Sequence, residues 1–361
     1  MKKLLFFINT FETGGAEVAL VNLANALSDT YDVTVMTLID TGVHKSKLSK
    51  AIKYKSIIKN PRFRRIGTIL IAKIIPASIV HMLFIGNKYD YEIAFLEGIP
   101  TKLIASAKTK KYAWVHIDLY NAFGIAKIHS SMKKHINCYK KFDKIICVSE
   151  TVKEAFVKRF DITENIEVKH NIIDDECIRL LSDEPLRSHD KFRILSVGRL
   201  AKQKGYDSLL PIVKRLYEDG IDFELVIVGE GEEHQNLTCQ AENLGISDIV
   251  TFTGFENNPY KYIKSADLMV FPSRAEGYST VVCESIILGK PIIVSDCSGM
   301  KEILGDSEYG WITTSDDELY IAMKEMIINR GLRESYAEKS RQRSKEFSKK
   351  ARLSEIEELW I

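Results

Sequence analysis

The chain has 361 residues, 45% hydrophobic and 28% charged, with a formal net charge of +2, enough apolar content for two full domain cores. Six cysteines (138, 147, 177, 239, 283, 297) lack C-x-x-C spacing, and Lys2 and Lys3 precede only five apolar residues before Asn9, so neither a disulfide framework nor a secretory leader is expected and the compartment is the reducing cytosol. The small net charge hides an asymmetry: residues 1–172 carry 27 Lys+Arg against 15 Asp+Glu, while residues 173–361 carry 24 against 34, giving halves of +12 and −10.

The first strand is LLFFI, followed by Gly14 and Gly15 and a helix with Leu20, Leu23, Ala24 and Leu27 at helical spacing. Two glycines let backbone approach a ligand phosphate or sugar. After the strand DVTVMTL, no acidic residue occurs between Asp40 and Asp90, yet eleven Lys and Arg do, among them Lys45, Lys47, Lys50, Lys53, Lys55, Lys59, Arg62, Arg64 and Arg65. Beside them lies IGTILIAKIIPASIVHMLFIG (66–86), interrupted by Lys73, Pro76 and His81 and therefore not read as transmembrane. Two readings stand for this region: docking on an anionic membrane face, or a buried core helix beside a solvated charge run. Nucleic acid is not an expected partner, because no aromatic-interleaved basic motif occurs.

The strands YEIAFL, KYAWVH and KIICVS complete the first half. KYAWVH ends in His116, with Asp118 two residues on. HNIIDDECIRLLSDEPLRSHD (170–190) breaks the periodicity with acids, Pro185 and Ser188, which places domains at 1–172 and 191–345, a linker at 173–190 and a C-terminal helix at 346–361 that could cross back to the first domain.

In the second half FRILSVG precedes Arg199, Lys204 and Gly205, so two cations project from a strand end where a diphosphate leaving group would need neutralising. VIVGEGEE carries Gly229 and Gly231 after a strand, but His234 stands at the third glycine position of a dinucleotide fingerprint, which weakens an NAD reading. In FPSRAEGYSTVVCESIILGKPIIVSD (271–296), a strand, a turn at Gly277, a helix capped by the hydroxyls of Ser279 and Thr280, and a stop at Gly289 and Pro291 follow in order. The free N–H groups of Ser279, Thr280 and Val281 suit a phosphate. Glu284, four residues after Thr280, can accept from ribose hydroxyls, and Glu276 at the turn can accept from hexose hydroxyls.

Strand-like runs alternate with helical ones in both halves, which predicts an α/β chain with parallel sheets that bind ligands at the carboxyl ends of their strands. FETGGAE, WVHIDL, CVSE, HNIID, SVGRLAKQKGYDSLL, VIVGEGEE, TGFENNPYKYIKSADLMVFPSRAEG and EGYSTVVCES together resemble the family-4 retaining glycosyltransferases over nearly the whole chain. The resemblance implies a GT-B fold, two facing Rossmann-like domains with an interdomain cleft. It also implies hexosyl transfer from a nucleotide-diphosphate sugar, UDP being expected, to a lipid-linked or saccharide acceptor in surface polysaccharide assembly at the cytoplasmic membrane face. The residue roles it implies are His116 against the donor sugar, Asp118 and Gly14 on the acceptor side, Gly15 near the donor diphosphate, Gly229 near the base, and Arg199 and Lys204 on the leaving diphosphate. Ser285 departs from the small alanine frequent after the second glutamate. No histidine pair has metal-ligand spacing and no D-x-D occurs, so transfer without a divalent metal or other cofactor is expected. Other readings are a transferase with a small soluble acceptor, a nucleotide-sugar epimerase of the same fold, and a non-catalytic nucleotide-sugar binding protein.

Overall fold

Apolar runs too short for helices become strands covered on both faces: every residue from Leu4 to Ile8 is 0% exposed. The computed structural model describes residues 1–12, 14–120, 130–186 and 189–360. Thr13 of FETGGAE and Ser188 of the acidic stretch lie outside them.

Two compact units result, one of Met1–Ile172 with Arg352–Ile361 and one of Ile173–Ala351. In the first, seven parallel strands are β1 (Lys3–Ile8), β2 (Asp32–Ile39), β3 (Lys53–Ile58), β4 (Tyr91–Ala94), β5 (Lys110–Val115), β6 (Lys144–Cys147) and β7 (Ile166–Val168). They lie in the order β3-β2-β1-β4-β5-β6-β7. The second unit has β8 (Phe192–Val197), β9 (Phe223–Val228), β10 (Val250–Gly254), β11 (Leu268–Phe271), β12 (Ile292–Ser295) and β13 (Trp311–Thr313), in the order β10-β9-β8-β11-β12-β13 and also parallel. Strand order reverses between β1 and β4 and between β8 and β11. At these points the loops leaving the strand ends diverge and leave room for a ligand.

Each core is built by helices packed on the sheets. In the second unit Leu209, Val213 and Leu216 of helix Tyr206–Glu218 and Leu319, Met323 and Met326 of helix Asp316–Ile328 meet Leu225, Ile227 and Val270. The C-terminal helix Lys349–Glu357 carries the chain into the first unit, where Trp360, 1% exposed, stacks on Tyr112 with ring centroids 5.6 Å apart.

Four differences from the sequence reading have physical causes. Strands β3, β7 and β13 were not expected: β7 and β13 are three-residue edges, and β3 is an edge strand whose Lys53 and Lys55 read as solvated charge. Within the stretch taken as a linker, Asp175–Ser182 is a helix whose N-cap Asp174 accepts from the Cys177 amide at 3.2 Å, so the acids there are capping and first-turn residues. Ser279 stands at the N-cap of helix Thr280–Ile287 but its hydroxyl makes no capping hydrogen bond. Finally, residues 64–85 form short helical segments with π-helical turns at Leu70–Ile74 and His81–Ile85 around Pro76, and most of their large apolar side chains are exposed rather than core. Among the described residues no helix is long and apolar enough to cross a membrane.

Candidate active site

In the second unit, the loops leaving β9, β8 and β11 are fastened to one another in that spatial order. Leu200 donates to the Glu230 carbonyl at 3.0 Å and accepts from the Glu233 amide at 2.9 Å, tying the loop after β8 to the loop after β9. The approach requires glycine: a Cβ at Gly229, where φ is +146°, would lie 2.0 Å from the Gly198 carbonyl oxygen. On the other side, the Arg274 amide donates to Gln203 O at 2.8 Å, and Gln203 Nε2 donates to Ala275 O at 2.7 Å. A Cβ at Gly205 (φ +70°) would meet Pro272 O at 2.0 Å.

That fastening brings two predicted residues together. Lys204 Nζ donates to Glu276 Oε1 at 2.6 Å, and Ser273 Oγ donates to the same oxygen at 2.8 Å. Both partners of the ion pair are largely shielded, with side-chain exposures of 21% and 11%. Arg199, on the same loop as Lys204, is exposed and makes no ion pair among the described residues. Behind the turn, Ser279 and Glu284 are buried at 4% and 7% exposure, and Tyr260 lies close enough to Glu284 for its hydroxyl to feel the carboxylate charge. Because Ser279 does not cap it, the helix that begins at Thr280 keeps first-turn amides that its own side chain does not engage. The helix closes as its sequence predicts, with Gly289 at φ +66° and Lys290 N donating to Ser285 O at 3.0 Å.

In the first unit, Gly14 is the N-cap of helix Gly15–Leu27, after β1. His116 follows β5 and is 7% exposed; its ring lies 4.6 Å from that of Phe95, and its buried Nε2 has no hydrogen-bond partner among the described residues. Burial pushes the imidazole down to about 3, so it is neutral and can donate or accept one hydrogen bond at Nε2 according to tautomer. Asp118 is buried and its Oδ1 accepts the Tyr120 amide at 2.9 Å, which spends part of its capacity on the local turn. Among the described residues no group of three or more His, Cys, Asp or Glu is arranged to hold a metal ion.

Comparison with known proteins fits this arrangement. The family model described as glycosyl transferases group 1 matches residues 179–343, and that described as glycosyltransferase family 4 matches residues 13–176. A Campylobacter jejuni N-acetylgalactosamine-N,N'-diacetylbacillosaminyl-diphospho-undecaprenol 4-alpha-N-acetylgalactosaminyltransferase is 30% identical over 97% of this chain and 96% of its own length. The chain belongs to the family-4 glycosyltransferases. A second C. jejuni relative, a GalNAc-alpha-(1->4)-GalNAc-alpha-(1->3)-diNAcBac-PP-undecaprenol alpha-1,4-N-acetyl-D-galactosaminyltransferase, is 27% identical over 100% of this chain and 98% of its own. The crystal structure of Anabaena Alr3699/HepE in complex with UDP and glucose superposes with a TM-score of 0.79 at 21% identity, covering 100% of this chain and 99% of that one, which shows the GT-B fold.

Sequence reasoning about this glycosyltransferase missed the residues that hold the candidate ones in place. Ser273 was not singled out, although a hydroxyl three residues before a turn glutamate is a readable signal. Arg274, paired with Asp207 at 2.6 and 2.9 Å, and Gly299, whose Cβ would lie 2.4 Å from Gly277 O, act across loops distant in sequence and left no local signal. Glu97 was missed as well. It is 5% exposed after β4, and its Oε1 accepts the amides of His116 and Ile117.

Proposed function

We propose that this glycosyltransferase is a retaining enzyme that moves a hexose from a UDP-sugar to a hydroxyl of a lipid-linked or oligosaccharide acceptor, at the cytoplasmic face of an anionic membrane, in surface polysaccharide assembly. The observation that carries the reading is the shielded Lys204–Glu276–Ser273 cluster at the reversal between β8 and β11, beside the helix that bears Glu284. In this reading Glu284 accepts from the ribose hydroxyls, and Glu276 accepts from hexose hydroxyls while Lys204 and Ser273 fix its rotamer. Bond breaking leads, giving an oxocarbenium-like sugar while charge grows on the diphosphate. Arg199, Lys204 and the amides from Ser279 to Val281 stabilise that charge where it develops. The leaving phosphate takes the acceptor proton on the same face, so no second carboxylate of the hydrolase kind is needed. His116, neutral and with Nε2 uncommitted, orients the donor sugar; Gly15 and Gly229 admit backbone to the donor, and Gly14 and Asp118 serve the acceptor side. No divalent metal enters the reaction as proposed.

The diphospho-undecaprenol acceptors named for the C. jejuni relatives support a lipid-linked acceptor, and the UDP in the HepE structure supports the donor class. Exposed Phe63, Ile66, Ile74, Met82, Leu83 and Phe84 beside exposed Lys59, Arg62, Arg65 and Lys73 support a membrane face.

Titration calorimetry with UDP, GDP, ADP and NAD, without and then with divalent metal, tests the donor assignment. UDP is expected to bind in the micromolar range without metal and to lose most of that affinity in Glu284→Ala. Tight NAD binding with no nucleoside diphosphate binding would overturn it.

A further inference from the structure

Glu97 is a buried acid without an ion-pair partner among the described residues, an arrangement that costs stability unless the carboxylate is needed for its bonds. What it binds is specific. β4 pairs with β5 only as far as Ala94 and Ala113, while β5 runs on beside β6 to Val115 and Cys147. The amides of His116 and Ile117 therefore leave the sheet without a strand acceptor on the β4 side. Glu97 Oε1 takes both, that of Ile117 at 3.2 Å. The same short segment supplies Phe95, whose ring packs on the imidazole of His116. The loop after β4 thus holds His116 by its backbone through Glu97 and by its ring through Phe95.

We propose that Glu97 is a positioning residue of the active site, clamping the two amides after β5 so that the His116 imidazole faces its ligand in one orientation; this rests on the reading of His116 as a contact for the donor sugar. Burial pushes the Glu97 carboxyl up to about 7, against the opposing pull of its own amide and those of His116 and Ile117. Three buried titratable groups near it stay neutral across that range. The imidazole of His116 is pushed down to about 3, while burial drives the hydroxyl of Tyr139, on helix Met132–Tyr139, and the thiol of Cys147, at the end of β6, well up. Asp118, one residue beyond Ile117, is the other buried carboxyl beside these amides, so a neutral-pH transition is assigned to Glu97 only where both amides feel it and Glu97→Gln abolishes it.

The test is a pH titration of the whole protein, 15N-labelled at histidine and isoleucine, with the two amides assigned through His116→Gln and Ile117→Val. In the wild type the His116 and Ile117 amides should shift together with a midpoint near 7, and in Glu97→Gln neither should. Unlinked titrations, or a shift that survives in Glu97→Gln, would overturn the clamp. Turnover then separates positioning from folding, read as UDP release from UDP-glucose, UDP-galactose, UDP-N-acetylglucosamine and UDP-N-acetylgalactosamine. Glu97→Ala should lose roughly tenfold or more in kcat, with the donor KM changed by less than about threefold. Glu97→Gln, which keeps an acceptor oxygen, should recover most of kcat on the alkaline side and lack the ionisation near 7. A folded Glu97→Ala with normal kcat sinks the inference, and should that variant not fold, the amide titration and the Glu97→Gln profile decide. Normal kcat in His116→Ala instead removes the reading of His116 itself, whereas slow His116→Ala beside fast Glu97→Ala removes only the role of Glu97.

Discussion

Glu276 shows how a side chain legible in sequence depends on others that are not. A glutamate in a glycine turn before a helix can be read as a hydroxyl acceptor, but what fixes it is Lys204, 72 residues earlier, together with Ser273. Replacing Glu276 by Gln keeps the shape, removes the ion pair and weakens every hydrogen bond that the carboxylate accepts. The expected cost in the transition state is about 1.5–3 kcal/mol, a tenfold to hundredfold fall in kcat/KM. Steady-state kinetics with a saturating acceptor checks this, and an unchanged kcat/KM would remove Glu276 from the site. His116 and Glu97 show the complementary case. The histidine was visible because it follows a strand, whereas Glu97, just beyond the run YEIAFL, discloses its proposed role only when β4 is seen to stop short of β5.

At the scale of elements, ten strands were legible because each is a run of mainly apolar or β-branched residues, nine of them interior to their sheets. Three of the four edge strands were not: β7 and β13 are only three residues long, and the lysines of β3 mask its alternation. The segment from residue 64 to 85 could not be assigned from composition alone, because apolar content fits a core and a membrane face equally. Exposure argues against a buried core helix: Ile66, Ile74, Met82 and Leu83 are each more than 60% exposed, while Ile71, Val80 and Ile85 turn inward and His81 anchors the segment to Glu92 of β4 at 2.6 Å. In the membrane reading, each Lys or Arg near an anionic surface contributes on the order of 1 kcal/mol, and the apolar side chains add their burial in the acyl boundary. Sedimentation with vesicles containing phosphatidylglycerol should therefore pull the protein down at low salt. Ile66→Ser with Leu83→Ser should weaken that binding without changing UDP affinity, since UDP is assigned to the other unit. Absent binding at low salt would discard the membrane face.

At the scale of the whole molecule the chain returns to the unit in which it began: Arg352–Ile361 belongs to the unit that begins at Met1. Its last aromatic is structural. Trp360 presents its edge to Phe6 and Tyr91 at centroid distances of 6.3 and 5.4 Å, lies flat on Tyr112, and is fixed by the hydroxyl of Tyr112 donating to Leu359 O at 3.0 Å. Phe6 and Tyr112 are central-sheet residues of β1 and β5, so the C-terminus closes the core on which the loops after those strands rest. Removing a buried aromatic of this kind costs about 3–5 kcal/mol, a large share of a domain's total stability. Trp360→Ala should therefore lower the unfolding temperature of the first unit while sparing UDP binding, which the proposed function assigns to residues 173–351. Differential scanning calorimetry with and without UDP separates the two, because ligand raises only the transition of the unit that binds it. A shift of the UDP-sensitive transition alone would show that the C-terminal segment stabilises the wrong unit for this account.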